Sequence, residues 1–173
     1  MQRQIDVKKL DQEILTQLSQ HTWLLDVVDA WILSPDARHL PGLIKASATL
    51  RDIDPRPLPP VLYRGFSLRH GYQDTLGLTS KTATVGKRFC YDAKRPLSFS
   101  YNLDIAKAFG NAIVTLDSAV IRDHCICLSE ELCYLISQRR RIQPQTQDEV
   151  IVFPSSAPLV LTVCLLKPKS LFW

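Results

Sequence analysis

The stretch 54-DPRPLPPVLYRGFSL-68 divides the chain into two kinds of sequence. Four prolines in Asp54–Pro60 fix φ and remove backbone donors, so this half reads as an extended connector. The half that follows, 61-VLYRGFSL-68, is rich in aromatic and β-branched residues and reads as a strand. Helical patterns lie upstream of the junction and strand patterns downstream.

Upstream, residues 5 to about 33 read as helix. Val7, Leu10, Ile14 and Leu18 recur at helical spacing, with Lys8, Lys9, Asp11, Gln12 and Gln17 on other faces. The following 23-WLLDVVDAWIL-33 is apolar around most of its circumference and is expected to be buried. In 34-SPDARHLPG-42, Pro35 and the Pro41–Gly42 pair should break the helix, and a short helix around 43-LIKASATLRDI-53 follows.

Downstream, 95-RPLSFSYN-102 alternates with period two, and 103-LDIAKAFG-110 fits a short helix. In that helix Asn102 is the N-cap, Ile105, Ala108 and Phe109 form the apolar face, and Gly110 ends it. Residues 111-NAIVTLD-117, 149-EVIVFP-154 and 159-LVLTVCLL-166 read as strands, and 129-SEELCYLISQ-138 as an amphipathic helix or irregular segment. The pattern predicts one α+β domain over residues 1–173, with a helical part at 1–58 and a β-rich, mainly antiparallel core at 59–173.

Composition narrows the class. The chain has 173 residues, 46% of them hydrophobic and only six glycines, which argues for a packed core and against disorder. No apolar run approaches the roughly 20 residues of a membrane-spanning helix, and the charged start MQRQIDVKKLDQE lacks a secretory apolar run. The five cysteines form no CxxC pair, so reduced thiols in a cytoplasmic protein are expected. His21, His39, His70 and His124 are too scattered to predict a metal site. The net charge of +4 permits an acidic partner without requiring one.

Three places carry chemistry. Arg64, within an apolar strand, either meets an anion or reaches water from a strand edge; its fork suits a phosphate, and Gly65 beside it permits close approach. Ser98 and Ser100 share one face of their strand, where two hydroxyls in line can orient a ligand or end a strand. Gln147 and Glu149 also share a face if their segment is extended, with Asp148 on the other. Taken singly, each has an ordinary structural explanation.

Their order is more specific. Tyr63-Arg64-Gly65, then 98-SFS-100 running into 106-AKAF-109, then 147-QDEVIV-152, resembles the Arg-Ser-Glu class of mono-ADP-ribosyltransferases, the group containing the clostridial toxin-like enzymes. The segment 84-TVGKRF-89 is similar to the one that introduces the second motif, and Phe99 departs from the usual central threonine. The resemblance spans about Leu62 to Leu166 and implies a mixed, mainly antiparallel β-sandwich core of the ADP-ribosyltransferase type. It implies NAD as substrate, with no metal. Tyr63, Arg64, Gly65, Ser98 and Ser100 would bind it, and Glu149, Gln147 and Ser98 would form the catalytic group.

It also implies a macromolecular acceptor. Glutamine at position 147 accompanies acceptors other than arginine, including asparagine, cysteine and glutamine side chains and nucleobases. The preceding loop would carry Arg139, Arg140 and Arg141 to a nucleic-acid backbone, with Tyr134 or Phe153 as a stacking surface if exposed. An acidic protein surface would account for the same arginines, and a basic helix end facing solvent would also account for them. Small transferases of this kind are commonly toxins with a neutralising antitoxin. An inactive binding module of the same fold, or an enzyme hydrolysing NAD with water as acceptor, are the competing expectations.

Overall fold

The computed structural model describes residues 3–66, 68, 78, 81–146 and 148–166. The N-terminal part comprises β1 (Arg3–Gln4), a 3-10 turn (Val7–Lys9), α1 (Gln12–Gln20), α2 (Thr22–Leu33), a second 3-10 turn (Ala37–His39) and α3 (Leu40–Ile53). Beyond the proline connector come β2 (Val61–Phe66), β3 (Arg88–Tyr91), β4 (Leu97–Ser100), α4 (Leu103–Ala108), β5 (Ala112–Asp117), a 3-10 turn (Ser118–Val120) and β6 (Cys125–Cys127). The chain continues through α5 (Glu130–Arg140), β7 (Gln145–Thr146), β8 (Glu149–Val152) and β9 (Leu159–Leu166).

The single N-terminal helix expected from periodicity is two helices. Asp11 caps α1 by accepting from the backbone N–H groups of Glu13 and Ile14, and His21 interrupts the run with φ −108° and ψ 62°. Val7 lies before the cap and is 45% exposed. Pro41 and Gly42, read as breakers, sit in the first turn of α3, where a missing N–H removes no intrahelical bond. A Cβ on Gly42 would lie 3.2 Å from Val27 Cγ1, so the glycine lets α2 and α3 approach closely.

Seven strands form one sheet in the order β3-β9-β5-β2-β4-β8-β6, and each of its pairings is antiparallel. The α+β class therefore holds, and the described strands of the core are hydrogen-bonded into one connected antiparallel sheet. A second, two-stranded sheet joins β1 to β7. One face of the large sheet carries a cluster including Leu62, Phe99, Val114, Val150 and Leu161, to which, among the described residues, strands and loops contribute but no helix does. Side chains of several strands and loops shelter one another on this face, and β5 and β9 shift register between Ile113 and Val114, an irregularity of the kind that bends a strand.

The opposite face takes the helices. Ile126, Ile151 and Phe153 pack with Leu18, Val28, Trp31, Leu50 and Leu132 from α1, α2, α3 and α5. Strict alternation sends Val150 and Val152 to one core and Ile151 to the other, which explains the continuous apolar reading of β8. The proline connector is pinned to this layer by Arg56. Its Nε and Nη2 donate to Asp54 at 2.6 Å each, and Nη1 and Nη2 donate to Glu131 at 3.2 and 2.6 Å. Among the described residues no helix is long and apolar enough to cross a membrane.

Candidate active site

The site forms where β4 lies between β2 and β8. β4 and β8 pair along four residues, with Ser98 opposite Ile151 and Ser100 opposite Glu149. Ser98 and Glu149 are thus diagonal neighbours on the helical face, within reach of each other's side chains. Ser98 Oγ donates to Glu149 Oε1 at 2.5 Å, and both residues are half-buried.

Arg64 arrives differently. β2 pairs with β5 over six residues but with β4 only at Tyr63–Ser100, so β2 and β4 part at the next positions. By alternation Arg64 leaves β2 beside Leu62 and Phe66, on the face opposite to Ser98. Its Nη1 donates to the Ser98 carbonyl oxygen at 2.5 Å. Three residues separated by 34 and 51 positions thereby meet at Ser98. Tyr63 stands at the last β2–β4 pair, half-buried.

Gly65 has a different use from the one expected. A Cβ there would lie 2.0 Å from the carbonyl oxygen of Ala106, so the close approach is made by α4 and not left to a ligand. On α4, Asn102 Oδ1 caps the helix at Asp104 N–H, as its sequence position implies. The expected apolar face is corrected, because Ala106 is the buried residue while Ala108 and Phe109 are exposed, Phe109 by 70%. Gly110 is still required, since a Cβ would fall 2.1 Å from the Phe66 carbonyl oxygen.

Ser100 is engaged within the protein. Its hydroxyl donates to the Asp148 carbonyl at 2.8 Å and accepts from Asn102 N–H at 3.0 Å, in a position only 8% exposed. Asp148 was expected merely to face away from Glu149. It is 2% exposed with φ of 46°, so the extended alternation assumed across residues 147–149 does not run through it. Gln147 lies outside the described residues.

In the arginine run Arg139 and Arg141 are exposed and Arg140 is half-buried. Arg139 makes an ion pair with Asp26, and its Nη1 donates to the Thr22 carbonyl at 3.4 Å. Arg140 pairs with Asp29 and donates to the Asp29 carbonyl at 3.2 Å. These two residues fasten the end of α5 to α2, so part of their charge is answered within the protein. Arg141 is exposed and ends α5 in the left-handed region at φ 55°. Phe153 is 2% exposed and Tyr134 is packed against the helical core, so Phe153 offers no stacking face.

A cleft of about 450 Å³ opens nearby, between the end of α3, the proline connector, Tyr101, β6 and the start of α5. Arg64, Ser98 and Glu149 do not line it. Its polar wall includes the Arg56–Asp54–Glu131 group, whose charges are paired with one another. Burial raises the Tyr101 hydroxyl well above its ordinary range; its bond with Thr146 only partly opposes this, and the nearby Asp148 carboxylate adds to it. Among the described residues no group of three His, Cys, Asp or Glu side chains is placed to hold a metal ion. Comparison of the chain with protein-family models, curated proteins and solved structures found no match.

Proposed function

We propose that this protein is a mono-ADP-ribosyltransferase that moves ADP-ribose from NAD to a macromolecular acceptor. The observation that carries the proposal is the Ser98–Glu149 hydrogen bond with Arg64 bound to the same serine's main chain. The order of the three residues in the sequence supplies the family resemblance. Their meeting at one point gives that resemblance a chemical setting.

In the proposed reaction the bond between ribose C1′ and the nicotinamide nitrogen breaks, and its electron pair leaves with nicotinamide. Positive charge then develops on the ribose. Glu149, held by Ser98, stabilises that charge; the group contributes to rate because the charge is larger in the transition state than in the substrate. Arg64 offers a guanidinium fork to a phosphate of NAD from its anchor on the Ser98 carbonyl. The acceptor's nucleophile bonds to C1′ and loses its proton.

Gln147 supports an acceptor other than arginine, and exposed Arg141 supports a nucleobase brought in by its phosphates. A non-arginine protein side chain is the second reading. It is favoured by the pairing of Arg139 and Arg140 with α2, which leaves the loop less cationic than its sequence. Labelled NAD incubated with the protein and total lysate tests both. Label released by nuclease and resistant to protease supports the nucleobase; the reverse pattern supports the side chain. Free ADP-ribose without labelled macromolecule would indicate NAD hydrolysis, and no nicotinamide release at any enzyme level would refute the transferase.

A further inference from the structure

We propose that Asp148 is a positioning residue that sets the Glu149 carboxylate against Ser98. This rests on the assignment of Glu149 as the catalytic carboxylate. Asp148 is 2% exposed, and a carboxylate so buried is costly unless its oxygens are satisfied. Both are: Oδ1 accepts from Thr146 Oγ1 at 2.7 Å and Oδ2 from Asn102 Nδ2 at 3.2 Å. Its main chain is held as well. The carbonyl accepts from Ser100 Oγ and from Tyr101 N–H at 3.2 Å, and its N–H donates to Thr146 Oγ1 at 3.1 Å.

The backbone adds a second argument. A non-glycine residue at φ 46° is in an unfavourable backbone region, and such residues persist where the surroundings over-determine them. The described hydrogen bonds of Asp148 come from Thr146, Ser100, Tyr101 and Asn102. Thr146 ends β7, Ser100 ends β4, and Asn102 caps α4 with one end of its amide while holding Asp148 with the other. The next residue is Glu149, whose own carbonyl accepts from Leu128 N–H at 2.9 Å. Asp148 thus ties α4, β4 and β7 together immediately before the residue that must meet Ser98.

Two substitutions isolate this effect. Asp148→Asn preserves tolerance of the left-handed region but cannot accept at both ends: its NH2 must face either Asn102 Nδ2, a donor that cannot flip without giving up its cap on α4, or Thr146 Oγ1, whose proton then loses its acceptor. Asn102→Ser keeps a good N-cap and removes the amide that holds Asp148. Steady-state nicotinamide release would give kcat and KM for NAD, and carbon NMR would follow the Glu149 carboxyl signal. The expected result is a kcat lower by about 10²-fold in each variant at unchanged KM, because a misplacement of about 1 Å suffices for that loss, with a displaced Glu149 signal. A kcat within twofold of wild type in a folded variant overturns the proposal, as does a fall in kcat matched by a tenfold rise in KM. Should Asp148→Asn fail to fold, Asn102→Ser decides. Should the wild-type protein release no nicotinamide, the transferase assignment fails by itself. The carboxyl signal then decides the positioning claim: an unmoved signal refutes it, a displaced one sustains it.

Discussion

At the scale of single residues, the site turns on one carboxylate and one guanidinium. Glu149→Gln keeps the shape of the side chain and an oxygen for the Ser98 hydroxyl, but it removes the charge that would face the ribose. Nicotinamide release should fall by about 10²–10³-fold while NAD affinity stays within a few-fold, measured by calorimetry on the folded variant. Loss of binding and turnover together would instead place Glu149 in ground-state recognition. Arg64→Lys should raise KM for NAD by about tenfold with a smaller change in kcat, since an ammonium cannot hold the Ser98 carbonyl and a phosphate with one planar fork. An unchanged KM would detach Arg64 from the nucleotide. Arg64 stands out in the sequence as a charge within an apolar strand, and Glu149 as a carboxylate at the start of one. Asp148 does not, because nothing local marks a buried left-handed aspartate inside a polar run.

At the scale of elements, two joints hold the site in place. The first is α4 against β2, where Gly65 meets the Ala106 carbonyl. Gly65→Ala should destabilise the fold by about 3 kcal/mol, the upper part of the range for overpacking, read as a lowered denaturant midpoint at unchanged slope. The second is the proline connector, clamped by Arg56 to the 2%-exposed Glu131 at the start of α5. Burial pushes the Glu131 carboxyl up, but hydrogen bonds from Arg56 and from Asp11 N–H outweigh it and hold the group below its ordinary 4.5. A lowered folded-state value means the stabilisation is complete above about pH 4.5 and is lost as pH falls through the folded value. Glu131→Gln should therefore cost about 1–3 kcal/mol at pH 7 and flatten the acid limb of the stability curve. An acid limb equal to the wild type's would show the clamp to be idle. From sequence alone this connector reads only as a spacer. Its ion-pair partner lies 75 residues away, beyond any local pattern.

At the scale of the molecule, the sheet separates two cores and leaves the thiols in unequal surroundings. All five cysteines are free; Cys90 is exposed on the edge strand β3, whereas Cys125 and Cys133 are buried. Burial pushes Cys125 up to about 11 and Cys127 up to about 12, so both are protonated at neutral pH and poor nucleophiles. Native protein at pH 8 should present Cys90 as the fast-reacting thiol to an alkylating reagent, with Cys125, Cys127 and Cys133 reacting only on unfolding. β6 is itself an edge strand, so rapid labelling of Cys127 in the native state would show that its thiol is not sheltered there and contradict the packing described.

The sequence by itself determined the α+β class, the junction at the proline connector, the extent of β9 and the strand, cap and helix from Leu97 to Ala108. Each is written in local periodicity, proline content or capping residues, which act over one turn or one pleat. It also placed Arg64, Ser98 and Glu149 in an order that invited comparison. Only the tertiary structure decided that these three meet, that the sheet is single and antiparallel, and that Gly65 admits a helix. It alone showed Arg139 and Arg140 answering Asp26 and Asp29. The reason is physical. Strand pairing, close backbone approach and ion pairing across more than 30 positions depend on which surfaces the two cores bring together, and no window of neighbouring residues contains that information.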